Sequence, residues 1–395
     1  MGPYILKTCN INSSYTIAGL AKKIFTTTNT FKDKTTYNFT EILKFTDTKE
    51  KYEFSKLFLR GGISHCNKPG KYTNQIISYD ITSQYPAACV KMFIPCGDSQ
   101  TYENLNFDDY KGIKGLYHLK NLKFDDTYDF KLIAEAIQNK SLNWNTGNSL
   151  SECYITNYDI DYLIQNFNLI SFDIVKCLLS SRNKHIEGSK ILGNYVNGFF
   201  KIKQEQDELK AKGDTNYNNS LRETVKLFLN SLTGKFVEDP YRYYQVEFNE
   251  VDNQEKTTYN INGVSYNRKE NTNINPLIII GICVYSYSKR LLFEYINLLP
   301  NKSDNITHIE TDGLYFQDKY NDEFIHNLNN YKGNYPCQLG DDLGNIKQEK
   351  LSIESYFLGK KFYYMKDIKG YETMRIKGIK KQTVNEDGTI TKIVD

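Results

Sequence analysis

Residues 276 to 299, PLIIIGICVYSYSKRLLFEYINLL, constrain the fold more than any other stretch. Pro276 suits the first turn of a helix, and apolar residues follow on every side of it, so the rest of the chain must bury that helix. Its opening run, PLIIIGICVYSYS, is too short and too polar at its end to span a bilayer, and no membrane partner is expected. A helix needing cover all round implies a globular core, and 395 residues can supply one in about two or three domains.

The acidic run HIETDGLYF, 308 to 316, follows that helix. Residues i and i+2 of an extended strand share a face, so Glu310 and Asp312 are expected side by side. Like charges that close repel unless a shared proton, a cation or water compensates. Gly313 suits a tight turn with Leu314, Tyr315 and Phe316 returning antiparallel, which predicts the acids at a hairpin tip. A solvated acidic turn would read the same way, so other segments must decide.

Upstream, QIISYDI (75 to 81) reads as a strand and SQYPAACVKM as a short helix begun by Ser83, with Pro86 in its first turn. Asp80 therefore closes a strand where the chain turns. Residues 113 to 182 alternate strand-like pieces with one helix, NYDIDYLIQNF, capped by Asn157 or Asp159, an α+β pattern. Leu192 to Lys212 and Ser220 to Phe236 read as two antiparallel helices. Residues 237 to 275 are polar and strand-forming, predicting a hairpin held out from the body.

Fifty Lys and Arg balance 47 Asp and Glu, so no polyanion partner is announced by charge as a whole. The tail from Gly359 to Gln382 concentrates lysines between tyrosines, and any basic surface belongs there. Eight cysteines without a C-x-x-C or zinc spacing predict reduced thiols and an intracellular setting. The first residues lack a secretory signal. Abundant Lys, Asn, Ile, Tyr and Phe, with one Trp, are what an AT-rich gene encodes.

Two-metal phosphoryl transfer needs carboxylates from separate segments, converging to hold ions ~3.5–4 Å apart. Asp80 and Asp312 suit that need. In RETVKLFLNSLTGKF (222 to 236), Arg222, Lys226 and Asn230 recur every four residues on one helical face, a file of polar groups able to hold a triphosphate or simply to face water. Gly234 permits close approach of backbone or a base pair.

In chain order, YDITSQYP, KLFLNSLTGKF and HIETDGLYF resemble the three polymerase motifs of family B DNA polymerases, D-x-x-S-L-Y-P, K-x-x-x-N-S-x-Y-G and D-T-D-S. The protein-primed branch, known from phages and from linear plasmids, is the nearest in pattern. LRGGI (59 to 63) is similar to its Y-x-G-G, KKFYY (360 to 364) to its K-x-Y, and IKGIKK to the lysine-glycine segment beyond. The resemblance implies a right-hand polymerase core of α+β class, with an antiparallel-sheet palm, helical fingers and a truncated thumb. It implies two magnesium ions, with manganese as the alternative, on Asp80, Asp312 and the Ile81 carbonyl, and Glu310 as a supporting acid. Ser83, Gln84, Tyr85, Arg222, Lys226 and Asn230 would meet the incoming dNTP, with Tyr85 as the sugar gate and Lys226 as a catalytic group on the triphosphate. Gly61, Gly62, Ser231, Gly234, Lys361, Tyr363 and Lys377 would touch the DNA primer-template.

The pattern departs at Gln84, Thr233, Gly313 and Leu59, and Thr233 replaces an aromatic ring beside the nascent base pair. The segment SYTIAGLAKKIF (14 to 25) resembles the stretch just after an exonuclease domain, so no 3′–5′ exonuclease is expected. The domain boundaries expected are 1–58 for the connection into the palm, 59–190 for palm with an insertion, 191–236 for fingers, 237–275 for a hairpin insertion, 276–355 for palm and 356–395 for the start of a thumb. The implied activity is DNA synthesis in protein-primed replication, with a terminal priming protein as partner, in a mitochondrion or alternatively the cytoplasm. The competing expectation is an inactive remnant that only binds DNA.

Overall fold

The structure is a computed structural model that describes residues 16–28, 39–124, 149–238, 244–246, 258–261, 264–268, 274–301, 305–376, 382–384 and 390–392. These fall into two compact units. The first takes the described residues of 1–61, 85–124 and 149–288, and the second those of 62–84 and 289–395.

Along the chain the second unit opens with β1 (Ser64–Cys66), β2 (Gly70–Tyr72) and β3 (Ile76–Ile81). The first unit supplies β4 (Phe93–Pro95), β5 (Ser99–Asn106), β6 (Gly115–Phe124), β7 (Ser149–Thr156), β8 (Leu169–Ser180), β9 (His185–Glu187), β10 (Tyr244–Val246), β11 (Thr258–Ile261) and β12 (Val264–Arg268). The second unit resumes with β13 (Ile306–Glu310), β14 (Gly313–Gln317), β15 (Ile346–Gly359), β16 (Phe362–Asp367) and β17 (Glu372–Ile376).

The second unit is built on an antiparallel sheet of order β1-β13-β14-β3-β15-β16-β17, with β2 also paired to β15. Alternation sorts its side chains onto two faces. On one, Tyr79 stacks on Phe316 with ring centroids 5.8 Å apart, and both rings meet Phe324 of helix Asn321–Asn329. The Tyr79 hydroxyl donates to Asn321 Oδ1 at 2.7 Å, which pins the start of that helix to the sheet. On the other face Ile76, Phe357, Tyr363 and Met365 form a core cluster, with Cys66, Tyr72 and Tyr315 against it. Asp80 shares this second face, because it lies four residues along β3 from Ile76.

In the first unit β5, β8, β6 and β7 form a four-stranded sheet. The helix after β7 runs Asn157–Phe167, and its cap is Thr156 rather than Asn157 or Asp159. Thr156 keeps extended backbone, while Asp159, one turn in, accepts from the Thr156 N–H at 3.0 Å and so completes the start from inside the helix. Helices Gly188–Ala211 and Asn219–Phe236 pack antiparallel, tied by Tyr195 donating to the Phe228 carbonyl at 3.0 Å and by an Arg222–Asp207 ion pair. Between 237 and 275 the described strands form a three-stranded sheet, β10-β12-β11, rather than the single hairpin expected.

The apolar helix runs Ile278–Asn297 and is buried around its circumference, Ile278, Ile279, Ile280, Ile282 and Val284 being 0–2% exposed. It begins later than Pro276 because the Asn275 side chain accepts from Leu277 N at 3.3 Å and spends its amide on the Phe236 and Glu238 carbonyls, which holds that segment in a turn. The boundary expected between 355 and 356 falls inside β15.

Candidate active site

Strand register brings the two sequence-selected aspartates to neighbouring positions. β14 pairs with β3 so that Gly313 lies opposite Asp80, and the Ile81 N–H donates to the Asp312 carbonyl at 2.9 Å. Glu310 pairs with Gly313, which leaves Thr311 and Asp312 as a two-residue hairpin turn. Strand alternation therefore stops at Glu310, and Asp312 is placed by the turn, not by the i, i+2 rule. Thr311, with φ 57°, takes the left-handed conformation, and Gly313 does not. Gly313 answers a steric need instead: a Cβ there would lie 3.1 Å from the Tyr315 ring and 3.4 Å from the Glu310 carbonyl.

Ser83 (φ 49°) and Lys361 (φ 55°) are left-handed as well, so three turns bearing the selected motifs hold conformations that cost non-glycine residues about 1–3 kcal/mol each. Strain of this kind persists only where its surroundings over-determine it. At Thr311 they do, since its N–H donates to the Ile63 carbonyl at 2.7 Å while the next residue is tied to β3.

Glu310 is half-buried and well supported. Ser64 Oγ donates to its Oε2 at 3.0 Å, His308 Nε2 lies 3.5 Å from the same oxygen, and Lys361 Nζ lies 3.9 Å from Oε1. Burial pushes the carboxyl up, but His308, Ser64 and the Lys361 charge outweigh it and hold it below the usual glutamate value. The repulsion between neighbouring acids is thus met by partners on Glu310. Tyr315 stands among the acids as a neutral phenol, pushed far up by burial and by Tyr363, with Asp80 and Glu310 adding to the shift.

His308 was not singled out by sequence, because nothing distinguishes one of five scattered histidines. It is 0% exposed and boxed by Tyr315, Phe357 and Tyr363, with ring centroids 5.1–5.4 Å away. Neither ring nitrogen makes a hydrogen bond of good geometry, and Nε2 approaches Glu310 at 3.5 Å. Leaving such a group unsatisfied costs about 1–3 kcal/mol.

Elsewhere in the second unit Ile81 and Gln84 are buried at 0% and 4%, Ser83 and Gly62 are half-buried, and Lys361 is exposed. Tyr363 belongs to the core cluster, and its hydroxyl lies 3.3 Å from that of Tyr315. Lys377 lies outside the described residues. In the first unit Gly61 is exposed and Tyr85 packs edge-on against Tyr285 at 5.5 Å. Lys226, Asn230 and Gly234 are exposed along one side of their helix, and Ser231 is half-buried. Arg222 is committed to Asp207 at 2.5 Å and to Glu223 at 2.7 Å. Thr233 is buried at 1%, its hydroxyl beside the Cys89 thiol, which burial pushes up.

Among the described residues no three of His, Cys, Asp and Glu gather closely enough to enclose a metal ion. The two aspartates and the Ile81 carbonyl that the resemblance implies as ligands are all hard oxygen donors. Such a set suits a small divalent ion that keeps some of its waters and takes further ligands from a substrate, and it does not suit zinc.

The second unit is thus an antiparallel sheet with helix Asn321–Asn329 on one face and acids at its β3–β14 step. Residues 4–279 match the model of the family described as DNA polymerase type B, organellar and viral, and the chain belongs to that family. Among solved structures it is similar to Phi29 DNA polymerase complexed with primer-template DNA and incoming nucleotide substrates, at 14% identity and a TM-score of 0.62, over 93% of this chain and 61% of that one. The same polymerase with primer-template DNA in a post-translocation binary complex gives 15% identity and a TM-score of 0.61, over 95% and 59%. At that identity the likeness defines the fold, which is of the right-hand polymerase class. The chain spans about three fifths of the length of the polymerase it matches. A comparison with curated proteins found no match.

Proposed function

We propose that the protein is a DNA-directed DNA polymerase that adds deoxynucleotides to a primer 3′-hydroxyl on a DNA template. The observation that carries this reading is the β3–β14 register, which sets Asp80 near the end of β3 opposite Gly313 and ties the Asp312 turn to Ile81 by a 2.9 Å backbone hydrogen bond. Asp80, Asp312 and the Ile81 carbonyl would hold two magnesium ions, and manganese would serve in their place. Bound there, the ions would clamp the attacking and leaving oxygens of the transfer. Glu310, kept ionised by its neighbours, adds negative charge that favours cations at the site.

On the family resemblance, Lys226 and Asn230 receive the incoming triphosphate and Tyr85 selects its sugar, with Ser83 and Gln84 shaping that turn. Arg222 assists once released from Asp207. Gly61, Gly62, Ser231, Gly234, Lys361, Tyr363 and Lys377 meet the DNA, and contacts of this kind position a duplex without reading its sequence. The same resemblance supports protein-primed replication of a linear plasmid or virus-like element, a terminal priming protein as partner, and residence in the mitochondrion, with the cytoplasm as the other choice.

The test is primer extension with a primed template, four deoxynucleotides and magnesium. We expect synthesis by the wild type and none detectable from Asp80→Asn or Asp312→Asn, with both variants folded and still binding DNA. A DNA-binding remnant is the second reading, favoured by the burial of Thr233 at the motif position that would hold an aromatic ring. Salt-sensitive DNA binding without synthesis by the wild type would establish it.

A further inference from the structure

The acids and the helix face account for the proposed reaction without His308, and His308 is left with a cost and no task. We propose that His308 is a positioning residue that fixes the Glu310 carboxylate at the acidic turn, across Gly313 from Asp80. Its catalytic consequence rests on the polymerase reading, whereas the contact itself does not.

Three observations meet at this point. His308 is 0% exposed with neither ring nitrogen in a formed hydrogen bond, in a box of three aromatic rings that a phenylalanine would fill without leaving a polar atom unsatisfied. Its Nε2 lies 3.5 Å from Glu310 Oε2, the oxygen that also accepts from Ser64 at 3.0 Å. The register explains the convergence: Ser64 lies opposite Glu310 and Cys66 opposite His308 in the β1–β13 pair, so Ser64 and His308 flank the carboxylate from one face of the sheet.

Glutamate also carries one more side-chain torsion than aspartate, and a longer acid needs more restraint to hold one position. Ser64 and His308 supply that restraint on Oε2. Oε1 is left towards Lys361, whose 58% exposed side chain restrains it far less.

The test compares His308→Phe, which fills the box without a donor, His308→Gln, which keeps a donor, Glu310→Gln, and the double variant His308→Phe/Glu310→Gln. Two readouts are taken on the whole chain: unfolding midpoints in urea, and kcat and KM for the nucleotide in primer extension. We expect His308→Phe to lower kcat by about tenfold to a hundredfold with KM nearly unchanged, the size of effect typical when a supporting partner of a metal site is lost. His308→Gln should recover most of that loss, and the double variant should be no slower than Glu310→Gln alone.

Wild-type speed in His308→Phe, or kcat losses that simply multiply in the double variant, would overturn the proposal. If the wild type makes no product, the polymerase reading fails separately. The midpoints then decide: non-additive shifts at 308 and 310 support the contact, and additive shifts overturn it.

Discussion

Thr311 holds the acidic turn in a conformation that a β-branched residue rarely adopts. Glycine would accept the same φ without strain, so Thr311→Gly should raise stability by up to about 1 kcal/mol, measured by urea unfolding, the gain being limited by the extra freedom of glycine in the unfolded chain. A loss of stability would mean that the threonine side chain contributes more than its strain costs. Thr233 allows a second check. Replacing it with the tyrosine of the family pattern should not repair the motif, because the side chain is 1% exposed and packed beside Cys89. Overpacking there should cost about 1–3 kcal/mol in the same assay. Asp80 and Asp312 were picked out from sequence by their motifs, and strand pairing then brought their segments together. The φ of Thr311 was not legible there, since the residue that tolerates it, Gly313, stands two positions away and suggested itself instead. The depth of Tyr363 was equally hidden, because an aromatic residue between lysines reads as surface until its strand is paired.

At the scale of elements, the helix pair Gly188–Ala211 and Asn219–Phe236 is held partly by Asp207, which accepts from Arg222 and Lys203. Burial raises the Asp207 carboxyl, but the two cations outweigh it and hold it below the usual aspartate value. A depressed carboxyl stabilises the fold above its unfolded pKa, and the contribution is lost as pH falls through the lower, folded value. The pair should therefore loosen only at pH below about 3.9, the ordinary aspartate value. Asp207→Asn should remove that acid step from the amide protection of both helices, measured relative to the intrinsic exchange rate at each pH. The first residue of the pair is sterically fixed as well: a Cβ on Gly188 would fall 2.1 Å from the Cys89 carbonyl, so Gly188→Ala should destabilise by about 1–3 kcal/mol. Periodicity made both helices legible, because each buries one face. Their starts, and the Thr156 cap elsewhere, were less legible because several residues compete to accept the first free N–H groups. The third strand beside β11 and β12 was missed because two polar strand-like runs fit a hairpin just as well.

For the whole molecule, protection should follow position in the second unit's sheet. β3 has β14 on one edge and β15 on the other, whereas β1 and β17 end the order. Amide exchange by mass spectrometry should find Ile77 to Tyr79 the slowest backbone of that sheet and the β17 amides the fastest. Equal rates would mean that the sheet opens as one body. Sequence order and the motifs gave the class of fold through resemblance. They could not give the pairing of β2 with β15, or the interleaving of two units, because nothing local records which distant segment a strand will meet.

The central place of β3 has one more consequence. It ends at Ile81, and its first edge partner begins at Gly313, roughly 230 residues later. On a ribosome adding roughly 5–20 residues per second, the nascent chain would carry β3 with both edges open for some tens of seconds. During that interval Asp80 would ride on a bare, hydrophobic ribbon, an invitation to pair with another nascent chain. Translation speed and chaperone supply, as well as the stability of the finished fold, would then bear on the yield of folded protein.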